Sequence, residues 1–344
     1  MLPVTHIHID ARAPTQAQRQ KALRKNSNPV TNISNSASYE PISGAIDNLV
    51  VATRVTDTIA AIAKWVPYST PNSNISFLQN GMGMMDKVIS EFWPEETIDK
   101  KRVMPHMYMG SLSHGIYKHP SPQWRLTQAG EGHMKFAKYP SLPSSTGTPI
   151  NELSYSLLGS EPLQATEITY LSMSIHQYER LIINCCINST TALLDCENGE
   201  LLDSSQTEHL NSTIIKECIA VTKNHFDTVL QEKSDFFPQL EKKSGLIKSE
   251  STINLGRSIH LVNLNLQRTA RNSSSMRNDL AYPVPGQHPD TEIAALNGWV
   301  AYWGRTHGSR TPVNSLLQTL ILAKADIINK RESDDIRIEV GENI

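Results

Sequence analysis

Between Leu49 and Phe92 the chain alternates in a way that few folds accommodate. Leu49 to Ala52 (LVVA) is a short apolar run of the kind expected of a buried parallel strand. Ile59, Ile62 and Val66 then share one helical face, and Pro67 ends it. Ile75 to Leu78 (ISFL) reads as the next strand. It stops at a glycine-rich turn, Gln79-Asn80-Gly81-Met82-Gly83, and a further short helix is predicted over Met84 to Phe92. Strand, helix, strand, turn, helix is the repeating unit of a doubly wound α/β sheet. Such sheets bind ligands at the carboxyl ends of their strands, and Asn80 lies at one. An Asn-Gly pair also makes a turn unaided, so the residues alone leave Asn80 open between turn former and ligand contact.

Residues 103–140 hold short β-like pieces, VMPHMYMG and HMKFAKY, which fit the remaining edge of the same sheet; SLPSSTGTP (141–149) reads as an exposed loop. From about Ile168 the periodicity turns helical and stays so. Helices are predicted over 168–188, 204–232, 256–280, 292–307 and 312–329. Thr291 and Thr311 suit N-caps, with Pro312 at a first helical position, and Gly308 suits a helix end. Leu316, Leu320 and Ile327 are expected to give the last helix its core face. The expected fold is thus an N-terminal Rossmann-like α/β domain, incomplete at its start, followed by an all-α C-terminal domain. The expected boundaries are an irregular basic and polar arm over 1–46, the α/β domain over 47–163, the helical domain over 164–330 and a polar tail over 331–344, with a loop at 240–251.

The first of these helices carries an unusual line. Ile175, Ile182 and Cys186 trace an apolar face, yet His176, Arg180, Asn184 and Asn188 recur every four residues beside it. Asparagine is a poor helix former. Two asparagines and an arginine on one stripe suggest a polar wall facing a cleft. Buried amides bracing a helix pair would leave the same pattern.

Composition excludes several classes. A net charge of −2 gives no electrostatic case for a nucleic-acid partner. The four cysteines, Cys185, Cys186, Cys196 and Cys218, lack metal-ligand spacing and read as reduced thiols. No apolar run approaches a membrane span. From Arg12 to Lys25 the chain carries five basic residues and no acid, then turns rich in Asn, Ser and Pro; a solvated arm and a mitochondrial targeting segment both fit. The expected compartment is cytoplasmic or mitochondrial. A homodimer is an admissible assembly that the residues do not decide.

Three stretches resemble one family. RLIINCCINSTTALLDCENGELL looks like the opening of the helical domain of ketopantoate (2-dehydropantoate) reductases. FLQNGMG is similar to their asparagine-bearing turn, and SSSMRNDL with TEIAALNGWVAYWGRTHGSRTPVN resembles their C-terminal signature. The matches keep the family's order over about 48–325. The resemblance implies reduction of 2-dehydropantoate to pantoate with NADPH, in the pathway to pantothenate, or of a related 2-oxo acid. It implies an active site between a Rossmann domain and a helical domain. It places Asn80 and Arg54 near the cofactor, with Asn184, Asn188, Asn272 and Ser275 on the substrate. Asn272 and Ser275, at i and i+3, are expected on one helix face. The resemblance also implies that Glu292, at the start of its helix, helps to orient the proton donor and the substrate.

Two positions depart from the family. Arg180 stands where the family's lysine donates a proton to the ketone oxygen. Arginine keeps its proton, with a pKa above about 12, so it polarises the oxygen without serving as a ready acid. The G-x-G-x-x-G loop that seats a pyrophosphate is also missing: residues 1–80 contain one glycine, Gly44. Either the true start lies upstream or this relative has abandoned the usual cofactor seat. The alternative to an active reductase is a catalytically inactive member acting as a binding or scaffold protein, with degenerate mitochondrial translational activators as precedent.

Overall fold

The structure, a computed structural model, describes residues 44–94, 104–118, 126–139, 152–232, 253–283 and 287–341. The arm expected over 1–46, apart from 44–46, lies outside the described residues, as do the loops expected at 141–149 and 240–251.

The predicted alternation folds as a sheet. β1 (Ile46–Val51) runs parallel to β2 (Ser69–Phe77), with Leu49 opposite Ile75. Between them lie a 3-10 turn, Val55–Asp57, and helix α1 (Thr58–Ala63). Pro67 falls in a second 3-10 turn, Val66–Tyr68, so the helix stops before the proline. α2 (Met84–Phe92) follows the glycine turn as predicted. β3 (His106–Leu112) lies parallel to β2. β4 (Gly115–Lys118) and β5 (Leu126–Gly130) form a separate antiparallel hairpin. β6 (Met134–Lys138) returns antiparallel to β3, and β7 (Ala165–Glu167), after helix α3 (Glu152–Leu158), runs parallel to β6. The order is β1-β2-β3-β6-β7. This corrects two expectations. β3 is the central strand, not an edge piece. β1 is the outermost strand of that sheet among the described residues, with Val50 45% exposed. An apolar run shows that a strand has a buried side, but not how many neighbours it has.

The helical half is built round α4 (Tyr170–Leu194), which packs on α5 (Ser205–Glu232), α6 (Leu255–Arg268), α7 (Ser275–Ala281) and α9 (Pro312–Gly341). α8 (Asn297–Thr306) fits between α5 and α9. Thr169 caps α4 by accepting from the Ser172 N–H at 3.2 Å, and Asp195 ends it in the left-handed region. The buried residues along α4 serve two cores. Met173 joins Ile75, Phe77, Met107 and Met109 under the sheet, whereas Leu181, Ile182, Cys185 and Cys186 join Ile214, Cys218, Val262 and Ile321. Burying each large apolar side chain contributes about 1.5–3 kcal/mol, so α4 is fixed at both ends. Its middle, carrying Arg180, lies at the border between the cores.

Four helical expectations are corrected. The span 256–280 breaks into α6 and α7, because residues 270–272 leave the helix to pair with the loop after α4: Asn198 and Gly199 donate to the Asn272 and Ala270 carbonyls at 3.0 and 2.9 Å. The span 292–307 is a 3-10 turn, Glu292–Ala295, followed by α8. On α9 the buried face is Leu317, Ile321 and Ala325; Leu316, Leu320 and Ile327 are 57%, 43% and 51% exposed. Two apolar stripes one residue apart have the same period, so periodicity cannot choose between them. α9 also continues through the expected polar tail as far as Gly341.

Candidate active site

The turn after β2 meets α4 at the border of the two cores. Gly81 and Gly83 there have φ of +88° and +80°, which favours glycine. A Cβ on Gly81 would lie 2.8 Å from Ala295 Cβ and 2.9 Å from its carbonyl oxygen, and the Met82 N–H donates to that oxygen at 3.2 Å. The turn is thereby pinned to the 3-10 turn that begins with Glu292. Asn80 projects to α4, where Arg180 Nη2 donates to its Oδ1 at 2.9 Å. That bond leaves the Asn80 amide N–H₂ group as its available donor.

A small open pocket lies here, lined by Gln79, Asn80, Ser111, Gln177, Arg180 and Asn184 among others. It shares Gln79, Asn80, Gly81 and Gln177 with a larger open cleft that extends along α2 to Tyr178 and His225. Tyr178 Oη and His225 Nδ1 are 2.5 Å apart at its far end.

The electrostatics follow from burial. Burial lowers the Arg180 pKa, and the negative charge of Glu292 opposes that shift. Burial raises the Glu292 carboxyl, as do the charges of Asp279 and Asp290, while Arg54 and Arg180 pull it down. His176 is driven down to about 4, first by burial and then by Lys135 and Arg180.

Of the expected site residues, Asn80, Arg180 and Asn184 come together on the pocket, with Glu292 in electrostatic reach. Asn188 is half-buried and lines neither cavity. Asn272 and Ser275 do not share a helix face: Asn272 lies in the turn before α7, both are exposed, and the α7 cap is Ser274, which accepts from the Arg277 N–H at 3.1 Å. Thr191 Oγ1 donates to Ser274 Oγ at 2.8 Å and ties that cap to α4, one turn beyond Asn188. Arg54 reaches across to the helical half. Its Nη2 meets Asp279 Oδ2 at 2.5 Å and the Asp290 carbonyl at 2.8 Å. The sequence reading missed Gln79, Gln177 and Ser111. Gln177 was readable: 177, 180, 181 and 184 form an i, i+3, i+4, i+7 face.

A mixed sheet, parallel across β1, β2 and β3, whose strand ends meet a helical domain across a polar cleft has the architecture of a two-domain Rossmann-type protein. The family model described as "Ketopantoate reductase PanE/ApbA" matches residues 4–141, and its C-terminal counterpart matches residues 173–325. A probable 2-dehydropantoate 2-reductase of Schizosaccharomyces pombe is 33% identical over 282 residues, covering 80% of this chain and 73% of that protein. The 2-dehydropantoate 2-reductase of Saccharomyces cerevisiae is 30% identical over 272 residues, 74% of this chain and 66% of that protein. Among solved structures, D-mandelate dehydrogenase with NADH and anilino(oxo)acetate superposes with a TM-score of 0.61 at 19% identity, covering 84% of this chain and 79% of that one. A probable 2-dehydropantoate 2-reductase from Bacillus subtilis gives 0.57 at 20% identity, with 82% and 79% covered. The chain belongs to the ketopantoate reductase family, whose curated relatives are oxidoreductases.

Proposed function

We propose that this chain reduces 2-dehydropantoate, or a close 2-oxo acid, with NADPH, in the cleft between residues 47–163 and the helical domain over 164–330. The observation that carries this reading is the Arg180–Asn80 hydrogen bond, 2.9 Å long, which sets a cation and an amide donor together on one pocket. The nicotinamide end of a cofactor fits the donor chemistry of the Asn80 turn. The pyrophosphate end has no glycine fingerprint within residues 1–80. NADPH, when bound, supplies the hydride.

The chain's own residues do the rest. Arg180 hydrogen-bonds the ketone oxygen and stabilises the charge that develops on it. Asn80 holds the guanidinium, and Asn184, one turn on, contacts the acid. Arg180 remains a cation at neutral pH, so the proton reaches the oxygen from water. General acid catalysis is worth typically about 10²–10⁴ in rate, and a slow turnover is the expected signature. NADPH consumption dependent on 2-dehydropantoate, lost in Arg180→Ala, tests this reading; consumption equal with and without the acid would refute it.

The second reading is a catalytically inactive family member that binds without turnover. Arg180, which is not a ready proton donor, favours it. Trp299 discriminates, since its Nε1 lies 3.0 Å from where a Gly83 Cβ would stand. NADPH quenching of tryptophan fluorescence without turnover supports a binder.

A further inference from the structure

β3 is buried on both faces, with Tyr108 in the core on one side and Met107 and Met109 in the core on the other. Met107 and Met109 point into the core beneath the sheet, 1% and 8% exposed. The next residue on that face is Ser111, 7% exposed. An apolar side chain is what the pattern calls for. A hydroxyl stands there instead, and its Oγ has no hydrogen-bond partner among the described residues. Leaving such a group unpaired costs about 1–3 kcal/mol. Ser111 lines the pocket that holds Arg180, Asn80 and Asn184.

A second group in the same pocket shares the condition. Gln79 Nε2 is fixed by the Thr53 carbonyl at 3.0 Å and by Thr58 Oγ1, which assigns the amide. Its Oε1 is buried without a partner. The pocket thus offers one hydroxyl, able to donate or accept, and one acceptor. A hydroxyl, which both donates and accepts, has the chemistry to complement such groups. Ser76 supplies the internal contrast. Its Oγ is equally buried and unpartnered on β2, but it lines neither pocket.

We propose that Ser111 is a specificity-determining residue that hydrogen-bonds a hydroxyl on the side chain of the bound 2-oxo acid. This rests on the 2-oxo acid reading of the pocket. A site built to pair a ligand hydroxyl discriminates against the analogue that lacks it, because its own polar groups are then left unpaired. The role is in substrate binding, so the effect falls on KM more than on kcat.

The test compares 2-dehydropantoate with 3,3-dimethyl-2-oxobutanoate, the same acid with hydrogen in place of the hydroxyl. Binding is measured by calorimetry and turnover by NADPH consumption, for wild type, Ser111→Ala, Ser111→Thr and Ser76→Ala. Ser111→Ala is expected to weaken binding of the hydroxy acid about tenfold, the worth of one hydrogen bond. The deoxy acid should bind unchanged, and the melting temperature should hold or rise. Ser111→Thr should restore the preference, and Ser76→Ala should leave both affinities alone. Equal losses for both acids, or a melting temperature lowered by about 2–4 °C, would make Ser111 a structural residue and overturn the proposal. Selective binding without turnover would sink the reductase reading and keep Ser111. Turnover with no Ser111 effect would do the reverse. Failure of both acids to bind would remove both.

Discussion

At position 180 a guanidinium replaces the lysine that the family resemblance implies, and its consequences are measurable one residue at a time. Arg180→Lys restores an ammonium whose pKa burial can bring toward neutrality. The expected outcome is a kcat increase of about tenfold or more, with a bell-shaped pH profile. No change in a folded, NADPH-binding variant would mean that proton delivery does not limit turnover. His176, four residues upstream, gives a pH prediction. Its folded-state pKa is about 4 against an ordinary 6.5, so between those values the unfolded chain binds the proton and the native protein does not. Stability therefore falls as pH drops through that window. His176→Gln should flatten this acid limb by roughly 1 kcal/mol, allowing for solvent screening of a half-buried ring. Urea unfolding at about pH 7 and about pH 4.5 measures it.

At the scale of elements, the helix starts and turns determine where the site residues point. Glu217 on α5 accepts from the Val313 and Asn314 N–H groups, both at 2.9 Å, at the first turn of α9. The expected cap residue, Thr311, contributes its carbonyl, which accepts from Ser315. Asn314 in turn accepts from Asn297, and Asn297 donates to the Cys185 carbonyl beside Asn184. Glu217→Ala strips this buried network of its anion and should cost about 3 kcal/mol, read from the denaturant midpoint. Gly81→Ala meets both a left-handed φ and the Ala295 backbone. It should displace Asn80 and lower kcat/KM about tenfold or more; an unchanged rate would mean that Asn80 is not positioned by that turn. The same elements mark what was legible. α2 and the FLQNGMG turn were readable because glycine and flanking apolar runs leave few alternatives. The four-residue stripe was readable only in part. Each step of four rotates about 40° round the helix, so a line starting at Arg180 keeps Asn184 on the pocket and carries Asn188 away. The Asn272 break and the inward face of α9 depend on partners distant in sequence, which no local spacing records. Ser111 was hidden because a single serine in a strand carries no signal until its neighbours are known to be buried.

Across the whole molecule, α4 joins the two halves and Arg54 clasps them. The clasp consists of Arg54 on Asp279 and Asp290, with Thr56 Oγ1 donating to Asp290 Oδ2 at 2.5 Å. The Arg54 side chain is 40% exposed and Asp279 16%, so the pair contributes about 1 kcal/mol, screened by salt. Asp279→Asn should therefore loosen the cleft more than it destabilises the fold, with faster limited proteolysis between the halves and little change in melting temperature. Asn80, Arg180 and Asn184 are proposed to form a reducing site for a 2-oxo acid. The most direct measurement is pantoate formed from 2-dehydropantoate and NADPH by the purified 344-residue chain, beside Arg180→Ala and Asn184→Ala. The expected result is slow, acid-dependent formation of pantoate that either substitution lowers at least about a hundredfold. Pantoate formed equally well by both variants, or by none of the three while NADPH still binds, would contradict it.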